Sequence, residues 1–88
     1  MAERYKVHIK VISQQGKCTR EHKVGDEWLM EGKIPGGLCP SACHAIYPDL
    51  RVLMFGGSLP WESDPEAATV ACPDGKNPVV FKLRRIRE

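Results

Sequence analysis

Apolar and polar residues alternate strictly near both ends of this chain, and that alternation constrains the fold more than any other feature. Tyr5, Val7, Ile9 and Val11 are interleaved with Lys6, His8 and Lys10. Successive side chains on a strand point to opposite faces, so a period of two marks one buried face and one wet face. The spacing predicts a strand over 4–13. Near the other end Phe81 and Leu83 alternate with Lys82 and Arg84, which predicts a strand over 79–86.

Between them the punctuation is dense. Gly25-Asp26 reads as a turn opening a short strand over 27–31, and the Gly- and Pro-rich stretch after it reads as irregular. Leu38-Cys39-Pro40 looks like a helix entry. Proline suits the first helical position, where its missing N–H would go unpaired anyway, which leaves Cys39 at the N-cap and Leu38 placed to staple against Cys43 or a neighbour. The helix is expected to end at about Tyr47, because Pro48 disfavours a helical residue before it. Pro48 then opens a second short helix with Leu50, Leu53 and Met54 on one face and Gly56-Gly57 as its stop; 51–55 also fits a buried strand. A loop around Pro60-Trp61, a strand over 68–71 and a turn-rich connection follow. The expected fold is α+β: a single domain over 1–88, an antiparallel sheet of about four strands with one or two short helices packed on it.

At 88 residues the chain has a limited core, and its composition, 42% hydrophobic and 27% charged, is that of an ordinary globular domain. No stretch approaches the roughly 20 apolar residues of a membrane span, so no membrane partner is expected. The first residues enter the strand pattern without an apolar leader, which sets the expectation of a cytoplasmic protein. A net charge of +2 is a weak bias toward anionic partners. Lys82, Arg84, Arg85 and Arg87, with Lys6 and Lys10 across the sheet, read as a solvated strand face rather than a nucleic-acid surface. Binding nucleic acid would want exposed rings, and the core needs the few aromatics present, Trp28 and Trp61 as anchors among them.

Four cysteines, Cys18, Cys39, Cys43 and Cys72, carry the sharpest chemical signal. In a reducing compartment cysteines read as metal ligands, redox groups or plain core. Cys39 and Cys43, four apart, project from one helix face about a turn from each other and can address one ion or cluster. A cysteine at a helix N-terminus is favoured as thiolate by the free N–H groups there. Structural zinc sites usually show two close pairs, and only one pair exists here, so a four-cysteine iron–sulfur cluster is preferred to zinc. His22 and His44 are the alternative ligands. Four unlinked thiols buried as small hydrophobes account for the same residues.

Several segments together resemble a family of small, uncharacterised cytoplasmic proteins of bacteria and archaea. They are His22-Lys23-Val24-Gly25-Asp26-Glu27-Trp28, Gly37-Leu38-Cys39-Pro40-Ser41-Ala42, Phe55-Gly56-Gly57 with Pro60-Trp61, and Cys72-Pro73-Asp74-Gly75 leading to Pro78-Val79, Phe81 and Arg85-Ile86. The resemblance implies a stand-alone α+β protein and brings no activity, cofactor or partner. In that family the place of Cys43 often holds another residue, which favours a three-cysteine variant completed by His22 or an outside ligand.

The leading expectation is a small metal-binding protein with an iron–sulfur site on Cys18, Cys39, Cys43 and Cys72. It would act in electron transfer or as an accessory to a larger enzyme or protein subunit. The alternative is a metal-free interaction module with ordinary buried thiols. A thiol-dependent enzyme or redox sensor using Cys39 is the weaker third reading.

Overall fold

The computed structural model describes residues 5–16, 22–31, 35–73 and 75–86. Cys18, Arg87, and the Arg4 expected to begin the first strand lie outside them. Among the described residues the chain forms strands β1 (Lys6–Gln14) and β2 (Glu27–Met30), helix α1 (Pro40–Met54), then strands β3 (Ala67–Ala71) and β4 (Val79–Ile86). The sheet runs β2-β1-β4-β3, and every neighbouring pair is antiparallel. The two alternating segments of the sequence therefore lie side by side at its centre. Val7, Ile9 and Val11 of β1 and Val79, Phe81 and Leu83 of β4 are fully buried on one face. β1 and β4 pair from Lys6 opposite Ile86 to Gln14 opposite Val79, with a one-residue irregularity between Val11 and Ser13 that leaves Ile12 unpaired and exposed.

α1 covers that apolar face with Ala42, Ile46, Leu50, Leu53 and Met54, spaced to fall on one stripe. Pro40 stands at its first turn and Cys39 at its N-cap, as the sequence predicts. The interruption expected at Pro48 does not occur. One helix runs through that proline to Met54, so 50–54 is neither a second helix nor a strand. A proline inside a helix costs about 3 kcal/mol, whereas burying Leu50, Leu53 and Met54 returns roughly 1.5–3 kcal/mol each. Pro48 is exposed, so solvent reaches the segment whose hydrogen bond it removes. The stop lies where glycine predicts it. Gly56, at φ 86°, donates its N–H to Leu53 O at 3.2 Å, and Gly57 donates to Val52 O at 2.8 Å. That paired closure needs a left-handed residue, which glycine supplies without a Cβ penalty.

At the β3 border of the sheet, the N–H groups of Ala67 and Thr69 point away from β4. The Asp64 carbonyl accepts the first at 3.2 Å, and the Glu62 carboxylate accepts the second at 3.2 Å.

Candidate functional site

α1 sets the cysteine pair. Cys43 donates its backbone N–H to Cys39 O at 2.8 Å, the first bond of the helix, which puts the two residues one turn apart as expected. Cys39 makes no side-chain cap bond. Its own N–H is instead held by His22, whose Nε2 accepts it at 3.0 Å. His22 is only 6% exposed. Two rings seat it: Trp28 edge-on with centroids 5.0 Å apart, and Phe81 edge-on at 6.3 Å. Accepting through Nε2 leaves the ring proton on Nδ1. The lone pair that would take a thiol proton, or bind an ion, is already engaged.

Cys72 sits just beyond β3, where its N–H bonds to Val79 O at 2.9 Å and its Sγ accepts the Val79 N–H at 3.3 Å. Cys39, Cys43 and Cys72 are free thiols, half-buried, each packed against the hydrophobic core. Burial pushes the Cys43 thiol up from its ordinary value. His44 is exposed on the helix. Among the described residues no three His, Cys, Asp or Glu side chains gather as a group able to hold one metal ion, and Cys18 lies outside them. Compared with protein-family models, curated proteins and solved structures, this chain matches none. No helix among the described residues is long and apolar enough to cross a membrane.

Away from the thiols, the solvent side of α1 carries a ladder of large side chains. The Arg51 guanidinium lies 5.9 Å from the Tyr47 ring centroid and 5.2 Å from that of Phe55, and Nη1 donates to Tyr47 Oη at 3.4 Å. Both distances fall in the cation–π range. Arg51 forms no ion pair among the described residues. Tyr47 and Phe55 are both exposed, and Trp61 is 69% exposed, so the latter is not the core anchor the sequence suggested. On the same helix, burial and then the charge of Glu62 push the Asp49 carboxyl above its ordinary value. The i, i+4, i+8 spacing of Tyr47, Arg51 and Phe55 was there to be read once one helix is allowed to pass Pro48.

The basic stripe divides between two faces. Lys6, Lys10, Lys82 and Arg84 lie on the side of the sheet away from α1, whereas Arg85 follows Phe81 and Leu83 to the helix side, its side chain 2% exposed. There Arg85 donates to Leu53 O at 3.0 Å, Gly57 O at 2.8 Å and Pro65 O at 3.1 Å, and it pairs with the Glu66 carboxylate. The Tyr5 ring lies 5.5 Å from the guanidinium carbon.

Proposed function

We propose that this chain is a metal-free protein-interaction module that docks on a larger protein through the solvent side of α1. The observation that carries the reading is the Tyr47–Arg51–Phe55 ladder standing in water with Trp61 exposed as well. Trp, Tyr and Arg are the residue types that dominate binding energy at interfaces. Holding the guanidinium between two rings pre-orders it for a partner's carboxylate at little entropic cost. The thiols support the same reading by how they are used. His22 spends its Nε2 lone pair on the Cys39 amide, and Cys39, Cys43 and Cys72 each pack against the hydrophobic core as small apolar side chains do.

A second reading keeps the iron–sulfur cluster, or less favourably zinc, on Cys18, Cys39, Cys43 and Cys72. The observation favouring it is that Cys39 and Cys43 stand a turn apart, unbridged and half-exposed. One preparation separates the two. Purified without oxygen, the chain is expected to be colourless with far less than one iron or zinc per molecule, and Trp61→Ser is expected to shift stability by less than about 0.5 kcal/mol. A visible absorption band with stoichiometric iron and sulfide overturns the module in favour of the cluster. A large loss of stability in Trp61→Ser would show that the ring holds the fold and awaits no partner.

A further inference from the structure

The sheet face away from α1 has its own charge pattern, and the pairing register fixes it. Lys10 on β1 lies directly opposite Lys82 on β4, and His8 lies directly opposite Arg84. β1 and β4 are the two inner strands, so the like-charged Lys10–Lys82 pair occupies the middle of the face. Directly opposed side chains on antiparallel strands have Cβ atoms about 4.5–5.5 Å apart, and like charges there destabilise the sheet.

The other basic side chains of the face are answered by acids toward the borders. His8 Nε2 lies 2.7 Å from Glu27 Oε1, Arg84 Nη2 lies 2.9 Å from Asp64 Oδ2, and Lys6 Nζ lies 3.9 Å from Glu31 Oε2. Glu27, which is Lys10's neighbour on β2, gives its carboxylate to His8. The Glu66 N–H and then Arg84 hold the Asp64 carboxyl below its usual range, and the Lys82 charge adds the smallest contribution. Among the described residues the Lys10 and Lys82 side chains make no hydrogen bond and no ion pair. A local rule broken at the centre of a sheet, with neither ammonium in an ion pair among the described residues, is the kind of feature that function retains.

The geometry points to a binding strip for an acidic segment of a partner protein, with Lys10 and Lys82 each taking one carboxylate. Leu29, Val80 and Ile86 on the same face supply apolar contact beside the charges. Charge complementarity selects the occupant. Two unanswered ammonium groups flanked by Glu27 and Asp64 match a pair of carboxylates on an extended peptide, where side chains two residues apart share a face. A polyphosphate crossing the sheet would meet those flanking acids. The strands of this face also present no Phe, Tyr or Trp ring for bases to stack on: Trp28 and Phe81 face the core, Tyr5 lies by Arg85, and Tyr47 and Phe55 belong to the helix side. This strip lies on the opposite face from the Tyr47–Arg51–Phe55 ladder, so either surface stands if the other fails.

The test titrates the full chain with fluorescein-labelled hexaglutamate and, separately, with hexathymidylate at low salt, beside the Lys10→Gln/Lys82→Gln double variant. The native chain is expected to bind hexaglutamate more tightly than hexathymidylate. The double variant is expected to bind hexaglutamate about tenfold more weakly, the size of a 1.4 kcal/mol loss, while melting at the native temperature or above because a repulsion has been removed. The melting curve separates loss of the strip from loss of the fold. Absent or variant-insensitive binding of hexaglutamate overturns the proposal, as does tighter binding of hexathymidylate.

Discussion

Cys43 shows how one side chain writes a pH dependence into the molecule. Burial raises its thiol pKa in the fold, while in the unfolded chain it ionises near its ordinary value of about 8.5. Between those values the folded state holds more protons than the unfolded state, so stability falls as pH rises through that window and is whole below it. The urea midpoint of the native chain is expected to drop from about pH 8 to pH 10 by more than that of Cys43→Ala; equal slopes would show that the sulfur is not desolvated. The cysteine pair was legible in the sequence because a helix turn is a local rule. His22 was not legible. Its burial depends on an amide 17 residues away and on the Trp28 and Phe81 rings, and no spacing rule links those positions.

Pro48 makes the same contrast at the level of an element. Both ends of α1 could be read directly, from Cys39-Pro40 at one end and Gly56-Gly57 at the other. The middle could not, since a local penalty was weighed without the burial that outweighs it. Pro48→Ala restores a backbone donor at an exposed position and is expected to stabilise the protein by about 1 kcal/mol or more. Thermal melting reads this as a rise of roughly 4–8 °C, and an unchanged or lower midpoint would mean that the proline's stiffening of the unfolded chain matters more. The two central strands were legible from their alternation, with β4 matching at both ends and β1 running to Gln14, one residue past the expected 13. Their register was not. It is set by tertiary pairing and by the irregularity at Ile12, and the Lys10–Lys82 opposition follows from register alone.

Across the whole molecule the most consequential residue is Arg85. It joins β4, the end of α1 and the loop before β3 through Leu53 O, Gly57 O, Pro65 O and the Glu66 carboxylate. The Tyr5 N–H bonds to Met54 O at 2.7 Å beside it, so tertiary donors also close the carboxyl end of the helix. Its cation there complements the helix dipole. In the sequence Arg85 looked like part of a wet basic stripe; only its even spacing after Phe81 and Leu83 hinted otherwise. Arg85→Met is expected to cost about 3–5 kcal/mol in equilibrium unfolding, because the Glu66 carboxylate and three carbonyls lose their donor. That is a large part of the roughly 5–15 kcal/mol such a domain possesses. Arg85→Lys is expected to recover little of it, since one ammonium cannot span four acceptors as a planar fork does. A loss under about 1 kcal/mol in either variant would show that the cluster is dispensable.

The covered N–H groups of Ala67 and Thr69 bear on how copies of this protein meet. A stranger's strand trying to prolong the sheet past β3 finds those donors taken by Asp64 and Glu62. At the opposite margin β2 offers only four residues to copy. Among the described residues neither margin offers a long open edge on which fibrillar growth by lateral addition could build.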